Sequence, residues 1–297
     1  MFTGMPGDGA RNGAADAAGS RARAALAGCR FADVRWVAET GSTNADVMTL
    51  ARDGAPEGVV VVADHQSAGR GRRTRSWVAP AGGSLLLSVL LRPLAAVAGT
   101  VTMATAVTLG EAVERVAGVA PGLKWPNDLV LPGSGDRKLA GILAEADWPA
   151  GSTVSGGWRQ PAAHERAVVV VGVGLNVSWP EPSAGDAGAE ELVAVADTAV
   201  ALNWVGADVD RVDLLVAFLR RLDERYGELV GSGSAAVIAE WRRRSATLGR
   251  RVRVDLGSDD VDGTAIDVTA DGHLVVETLG GDRRTIAVGD VVHLRPA

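Results

Sequence analysis

The chain of 297 residues is 47% hydrophobic and 22% charged, which is typical of a soluble globular protein with roughly two domains. Its net charge of −6 argues against nucleic-acid binding through bulk positive charge. The single cysteine, Cys29, excludes a disulfide framework and a cysteine-based zinc site, and it favours a reducing, cytoplasmic compartment.

The first 34 residues are rich in Gly, Ala and Arg and contain no apolar run. The apolar segment of a secretory signal is therefore missing, and the stretch is too short for a helix-turn-helix domain. We predict a disordered tail over residues 1–34, with ordered structure beginning near Trp36. The most apolar later stretch, residues 84–91, is too short to span a bilayer, so no membrane segment is predicted.

Beyond this tail, hydrophobic periodicity and turn residues predict a mixed α and β domain over residues 35–247. Strands are predicted over residues 59–62, 84–91, 123–125, 129–131, 138–146 and 168–171, and helices near 43–51, 101–116, 208–229 and 235–244. From Arg250 onward, short apolar segments alternate with tight-turn dipeptides such as Asp262-Gly263. This pattern predicts a small β-barrel over residues 248–297.

The basic residues are unevenly distributed, since Lys124 and Lys138 are the only lysines among 30 basic side chains. Lysine carries a compact ammonium and arginine a planar fork of donors, so they do not exchange freely at a site that has selected one of them. Two interpretations remain open at this point. Either the composition simply favours arginine, or two positions require lysine.

Residues 69–77 (GRGRRTRSW), which we call the arginine loop, carry four arginines in six positions: Arg70, Arg72, Arg73 and Arg75. Glycines allow the backbone to approach a ligand closely, and their N–H groups can form an anion-binding nest. Trp77 offers a face on which a base could stack. We interpret the segment as an anion-binding loop, although a solvated basic loop would have the same sequence.

A second candidate segment, Lys124-Trp125-Pro126-Asn127-Asp128, follows a short predicted strand. Proline fixes the backbone, so that Asn127 and Asp128 are presented by a rigid turn. An Asn amide can read an adenine edge, and a carboxylate can hold Mg²⁺ between phosphates. Taken alone, the segment is more simply an Asx turn that ends a strand.

Two further segments place glycines beside polar groups. Lys138 enters an apolar strand close to Gly141, where its ammonium must either reach water or meet an anionic ligand. Residues 171–176 (VGVGLN) contain a Gly-x-Gly pair, but Asn176 stands where a dinucleotide-binding pattern requires a third glycine, so a Rossmann site is rejected. The four histidines are scattered without ligand spacing, which argues against zinc.

Taken together and in this order, these motifs resemble the biotin protein ligases. The matching segments are residues 42–44, Gln66, the arginine loop, and residues 124–128, 137–141 and 172–176. The resemblance runs from about residue 36 to 180 and continues more weakly through the predicted barrel. One departure is Thr74, where the family often has glycine. The short N-terminal segment resembles the monofunctional type, which has no DNA-binding domain.

The resemblance implies an α+β fold, in which a mixed β-sheet catalytic domain of the class II aminoacyl-tRNA synthetase and biotin ligase type precedes an SH3-like barrel. It also implies two half-reactions. Biotin and Mg·ATP give biotinyl-5′-adenylate and pyrophosphate, and the adenylate then acylates a lysine of a biotin carboxyl carrier domain. DNA and membranes are not expected partners.

The resemblance further implies roles for individual residues. Catalytic roles fall to Lys138, Arg70 and Arg72. Biotin contacts are expected from Ser42, Thr43, Asn44, Gln66, Gly69, Arg70, Arg72, Lys138, Gly141 and Gly172. ATP contacts are expected from Arg75, Trp77, Lys124, Asn127, Asp128, Val173 and Asn176, with Asp128 also positioning Mg²⁺. Lys138 would contact both the biotin carboxylate and the α-phosphate, because a movable ammonium can follow a shifting charge.

Two other functions remain as alternatives. A lipoate–protein ligase of the same superfamily would share most of the motifs, although the complete arginine loop and Gln66 suit the polar ureido ring of biotin better. A non-catalytic biotin-adenylate binder or transcriptional co-regulator would keep the pocket, but the intact Lys124 to Asp128 segment favours activity.

Overall fold

The computed structural model describes residues 8–147, 153–154, 157–158, 162–180, 195, 197–257 and 259–293. Within them the helices are α1 (Asp8–Ala25), α2 (Thr43–Arg52), α3 (Ala95–Ala98), α4 (Val101–Ala117), α5 (Arg211–Ser232) and α6 (Ala235–Arg244). The strands before residue 180 are β1 (Val34–Thr40), β2 (Val60–Gln66), β3 (Ser84–Leu91), β4 (Gly122–Lys124), β5 (Asp128–Leu131), β6 (Arg137–Asp147), β7 (Thr153–Val154), β8 (Gly157–Trp158) and β9 (Val168–Asn176). The later strands are β10 (Arg251–Asp255), β11 (Asp260–Val268), β12 (Leu274–Thr278), β13 (Arg283–Ile286) and β14 (Asp290–His293).

Seven of the described strands form one mixed sheet in the order β1-β2-β3-β9-β6-β5-β4. β1 and β2 are parallel, and every other neighbouring pair is antiparallel. All eight residues of the central strand β3 are buried, which explains its continuous apolar sequence. The predicted α+β fold with a mixed sheet is confirmed.

The two faces of this sheet carry different side chains. Alternate residues of β3 and β9, such as Leu87 and Val173, face the main core together with α4 and α5. The opposite face is covered in part by α2, whose Val47 packs in a smaller cluster with Leu90. On that face β3 also presents Ser88, and β9 presents glycines, so the sheet surface beyond α2 has room for a ligand.

Strand β9 is longer than predicted. The expected strand over residues 168–171 continues to Asn176, so Gly172 and Gly174 lie inside a central strand rather than in a strand-to-helix turn. A Rossmann phosphate loop requires such a turn, and its rejection is therefore consistent with the structure.

The predicted disordered tail is wrong for residues 8–25, which form α1; residues 1–7 lie outside the described residues. Ala15 and Ala22 are buried where α1 packs beside β1 and α5, and Gly19 lies directly against Trp36. Arg23 Nη1 donates a 2.7 Å hydrogen bond to the Val34 carbonyl of β1. Small side chains allow this close packing but give a weak hydropathy signal, which explains why composition alone indicated disorder.

The C-terminal strands form a separate five-stranded antiparallel sheet in the order β13-β12-β11-β10-β14, which fits the SH3-like fold. It is joined to the first sheet by a polar cluster. His293 Nε2 lies 3.2 Å from Thr247 Oγ1, and Asp136, in the turn before β6, is paired with Arg250. Among the described residues, no helix is long and apolar enough to cross a membrane.

This cluster makes stability sensitive to acid. Burial lowers the pKa of His293 to about 4, and the positive charges of Lys124 and Arg250 act in the same direction. As the pH falls, the His293 imidazole is protonated in the unfolded chain before it is protonated in the folded protein. The free energy of unfolding should therefore fall by about 3 kcal/mol as the pH drops from 6.5 to 4. In urea unfolding at several pH values, His293→Gln should lose less stability over this interval than the unmodified protein. If both proteins lost the same stability, the acid sensitivity could not be assigned to His293.

Candidate active site

A patch of bare backbone forms the floor of the candidate site. Gly141 of β6 lies opposite Gly174 of β9 in the antiparallel register, and Gly172 is two residues earlier on the same face. The indole of Trp77 covers this patch, since a Cβ at Gly174 would lie 2.5 Å from the ring and one at Gly141 would lie 2.9 Å from it. A Cβ at Gly172 would overlap the Asn44 side chain instead, so packing favours glycine at all three positions.

One wall of the site is a continuous polar network around the start of α2. Thr43 N–H donates to Gln66 Oε1 at 2.8 Å, and the Thr43 hydroxyl lies 2.7 Å from that of Ser88. Ser88 donates to Asn44 Oδ1, and Asn44 Nδ2 donates to Glu145 at 2.7 Å. Since its oxygen is held by Thr43, the amide nitrogen of Gln66 remains as a donor for a ligand carbonyl.

The arginine loop folds back on itself above this wall. Gly71 N–H donates to the Arg75 carbonyl and Trp77 N–H to the Gly69 carbonyl. Arg73 and Thr74 at its tip have φ values of 51° and 61°, in the left-handed region that glycine adopts most easily. The departure from the family pattern at Thr74 therefore lies at a strained position.

Thr74→Gly is expected to stabilise the protein by about 0.5 to 1 kcal/mol, because glycine relieves the steric cost of a β-branched residue in this region. The matched control is Thr49→Gly, which places the same substitution inside helix α2 and should destabilise by a similar amount. Urea unfolding of both variants measures the difference. The strain argument fails if both substitutions destabilise the protein equally.

Ion pairs with three carboxylates hold the arginine loop to the rest of the molecule. Arg70 Nη2 lies 2.9 Å from Glu145 Oε2 on β6. Arg73 contacts Asp255 at 3.0 Å, and Arg75 contacts Asp290 at 2.8 Å. Both aspartates belong to the C-terminal sheet, so this sheet supports the loop of the candidate site.

Lys138 lies at the centre of the site. Its Nζ is 2.7 Å from Asp128 Oδ1 and 5.3 Å from the centroid of the Trp77 ring. The backbone of Lys138 is fixed by an exchange of hydrogen bonds with Thr198 and Val200. The side chain is about one-third exposed, which leaves the ammonium accessible to a ligand.

Two cavities adjoin this lysine. The first, of about 130 Å³, is lined by the polar wall and by apolar groups such as Leu87, and the second, of about 520 Å³, is lined by Lys124 and Asn176 among others. Arg75, Ser76, Trp77, Asp128 and Lys138 line both cavities.

The predicted site residues gather around these cavities with one exception. The first cavity is lined by Ser42, Thr43, Asn44, Gln66, Arg70, Arg72, Asn127, Gly141, Gly172 and Val173, besides the shared residues. Gly69 lines neither cavity; a side chain there would overlap the Trp77 backbone, so its role is to let the loop close. Asn127 and Val173, expected beside ATP, lie on the first cavity instead.

Asn127 is engaged by the neighbouring strand. Its Nδ2 donates to the Ile142 carbonyl at 2.6 Å and its Oδ1 accepts from Arg72 at 3.4 Å. The turn that contains it is held by the C-terminal region, because Trp125 N–H donates to Thr247 Oγ1 and the indole N–H donates to the Gly272 carbonyl. This geometry favours a structural role for the Asn127 amide over the expected contact with adenine.

The second cavity is lined by basic side chains, among them Arg75, Lys124 and Lys138. Burial lowers the pKa of the Lys124 ammonium, an effect that nearby Asp128 opposes. The Asn176 Oδ1 and Trp77 Nε1 atoms are buried without hydrogen-bond partners among the described residues. A nucleotide base would supply the missing partners, because its edge carries both donors and acceptors.

Asp128 is the carboxylate expected to position Mg²⁺. Its buried Oδ1 lies at ion-pair distance from Lys138 but makes no well-oriented hydrogen bond. Within the described part of the chain, no group of three or more His, Cys, Asp or Glu side chains could form an all-protein metal site. Mg²⁺ in phosphate-transferring sites is commonly held by one or two carboxylates and by substrate phosphates, which suits a single aspartate.

Sequence reasoning missed three residues that hold the site together: Ser88, Glu145 and Asp290. Ser88 lies within the continuous apolar run of β3. Only its pairing with Gly172, on the same face of the sheet, identifies it as a site residue. Asp290 contacts the arginine loop from 215 residues further along the chain, a pairing that no local pattern reveals.

The sequence matches known families over both regions. Residues 39–155 match the Biotin/lipoate A/B protein ligase family, and residues 247–294 match the Biotin protein ligase C terminal domain. A biotin–[acetyl-CoA-carboxylase] ligase of Mycobacterium tuberculosis is 39% identical, over 91% of this chain and 92% of its own length. Another from Paracoccus denitrificans is 33% identical, over 86% of this chain and 98% of its own length.

A solved structure supports the same relationship. The biotin protein ligase from Aquifex aeolicus, in complex with biotin and ATP, superposes with a TM-score of 0.69 and 25% identity, covering 89% of this chain and 99% of that one. The mixed sheet, the arginine loop and the paired cavities thus define a protein of the biotin/lipoate ligase class. Because similarity extends over nearly the full length of two biotin ligases and into their C-terminal domain, the chain belongs to the biotin protein ligase family.

Proposed function

We propose that this protein is an ATP-dependent biotin–protein ligase, which forms biotinyl-5′-adenylate and transfers biotin to a lysine of a biotin carboxyl carrier domain. The observation that carries the proposal is the position of Lys138 at the junction of two cavities, one suited to biotin and the other to a nucleotide. The protein has a single free cysteine and is proposed to use ATP, and both features suit a cytoplasmic enzyme.

The polarity of the first cavity suits biotin. The ureido ring would lie against the wall of Thr43, Asn44 and Gln66, where hydrogen bonds offset the cost of burying its polar atoms. The aliphatic chain would pass over the bare backbone of Gly172 and Gly174. Its carboxylate would then reach Lys138, beside the second cavity.

The second cavity suits ATP. Asn176 and Trp77 would contact the base, while Lys124 and Arg75 would contact the phosphates. Asp128 would hold Mg²⁺, which neutralises phosphate charge when it is bound.

The first step joins two anions, the biotin carboxylate and the α-phosphate. Their repulsion opposes the reaction, so preorganised positive charge lowers the barrier. Lys138 and Arg75 line both cavities and can contact both reactants, while Arg70 and Arg72 close the first cavity. The carboxylate oxygen bonds to the α-phosphorus and pyrophosphate leaves.

In the second step the ε-amine of the carrier lysine attacks the acyl carbonyl of the adenylate. An amide bond forms, AMP leaves with the bonding electron pair, and the amine loses a proton. The acyl phosphate supplies the driving force, so this chain needs no serine or cysteine nucleophile.

The direct test is exchange of labelled pyrophosphate into ATP by the purified full-length protein, with biotin, with lipoate and without either acid. We expect exchange when biotin is added, and none with lipoate or without an added acid. Exchange with lipoate in place of biotin would identify a lipoate ligase, and no exchange above the acid-free control would refute the enzyme proposal. Transfer is tested by mass spectrometry of a purified biotin carboxyl carrier domain incubated with the protein, biotin and ATP.

A further inference from the structure

One carboxylate of the C-terminal sheet is surrounded by guanidinium groups of the arginine loop. Asp290 is the first residue of β14, and its side chain is about one-quarter exposed. Its Oδ1 lies 3.2 Å from Arg72 Nη1, while its Oδ2 lies 2.8 Å from Arg75 Nη2 and 3.8 Å from Arg73 Nη1. Both oxygens of the carboxylate are therefore engaged by cations from a single loop.

This arrangement has the chemistry of an anion site that already contains an anion. Three guanidinium groups surround one carboxylate, and one of them, Arg73, is also paired with Asp255. Guanidinium groups bind carboxylate and phosphate oxygens with the same planar donor geometry. Burial lowers the pKa of Arg72 and the Asp290 charge opposes this shift, so the carboxylate compensates part of the cost of burying Arg72.

The same arginines belong to the ligand cavities. Arg72 lines the first cavity, and Arg75 lines both cavities. A guanidinium group that is paired with Asp290 has fewer donors left for a substrate phosphate. Binding of a polyphosphate and pairing with Asp290 are therefore in competition.

We propose that Asp290 is an internal competitor for polyphosphate, which holds Arg75 until the β- and γ-phosphates of ATP displace it. The inference rests on the proposed function, because it assumes that ATP binds in the second cavity. Displacement would release Arg75 from β14 at the moment of nucleotide binding. The apparent affinity for ATP is then reduced by the fraction of molecules in which Asp290 retains Arg75.

Asp255 provides a matched control within the same sheet. It accepts from Arg73 through its carboxylate at 3.0 Å and through its carbonyl at 2.9 Å. Arg73 lines neither of the two cavities, so loss of the Asp255 charge loosens the loop without freeing an arginine that faces a ligand.

The experiment is calorimetric titration of the full-length protein with ATP and with inorganic pyrophosphate, for the unmodified chain, Asp290→Asn and Asp255→Asn. We expect Asp290→Asn to bind both ligands about three- to tenfold more tightly, as suits loss of a partly exposed ion pair, and Asp255→Asn to bind them unchanged. Asp290→Ser serves as a second neutral variant, and the melting temperature of each variant verifies folding.

Unchanged or weaker binding by folded Asp290→Asn and Asp290→Ser would overturn the inference, since it would make Asp290 a support for the loop rather than a competitor. An equal gain in Asp255→Asn would also overturn it, because general loosening of the loop would then suffice. The proposed function is judged separately, by ATP binding and biotin-dependent exchange of the unmodified protein. If those succeed and the neutral variants bind no more tightly, the inference alone fails.

Discussion

Lys138→Arg is expected to lower the rate of biotin-dependent pyrophosphate exchange at least about a hundredfold while the protein remains folded. The Lys138 ammonium lies against the backbone of Gly141, within 2.9 Å of where a Cβ would stand, and 2.7 Å from Asp128. A guanidinium group is longer and planar, so it would displace the carboxylate or Trp77 rather than occupy the same point.

The exchange assay on purified variants measures this effect, with the melting temperature as a check on folding. Arg253→Lys is a suitable control, because Arg253 lies on the surface of the C-terminal sheet, paired with Asp262, and should tolerate lysine without loss of activity. Lys124→Arg should have an intermediate effect, since Lys124 lines only the second cavity. Exchange by Lys138→Arg within a few-fold of the unmodified rate would refute the central role of this ammonium.

Gly172→Ala is expected to raise the KM for biotin at least tenfold and to destabilise the fold by about 1 to 3 kcal/mol. The new methyl group would overlap the Asn44 side-chain oxygen. Asn44 cannot move freely, because Ser88 and Glu145 hold its amide from both sides. The substitution should therefore distort the wall proposed to bind the ureido ring.

Steady-state kinetics and urea unfolding measure the two effects. The matched control is Gly227→Ala in helix α5, where a Cβ meets no other atom within 4 Å and alanine should stabilise the helix by up to about 1 kcal/mol. If Gly172→Ala keeps a normal KM and stability, the close approach between β9 and α2 does not matter for the site.

Sequence predicted those parts of the fold that depend on local pattern. The strand over 84–91 and the helix over 235–244 were expected at the bounds that β3 and α6 have. The strand is a continuous apolar run, and the buried residues of the helix recur at helical spacing. Helix α1 escaped prediction because its buried side chains are alanines, whose contribution depends on how closely β1 and α5 approach. Close packing of small groups is a tertiary property that a hydropathy pattern does not contain.

In the candidate site, too, residues within local motifs were predicted, whereas their partners from distant parts of the chain were not. Residues that carry charge or backbone freedom within a motif, such as Arg75, Lys138 and Gly172, were predicted and do gather around the cavities. Their supports were not predicted, because Glu145 and Asp290 are ordinary acidic residues until folding brings them to the arginine loop. Asn127 lines the first cavity for a related reason, since its amide is engaged by the adjacent strand β6.

The placement of the two lysines has a practical consequence for chemical labelling. The sequence has no other lysine, and both line the second cavity. An amine-directed acylating reagent would therefore modify the candidate site without a competing lysine elsewhere. The lowered pKa of Lys124 leaves more of its amine neutral and nucleophilic at a given pH. After mild acylation, the mass of the peptides that carry Lys124 and Lys138 would thus report whether a bound molecule covers the site.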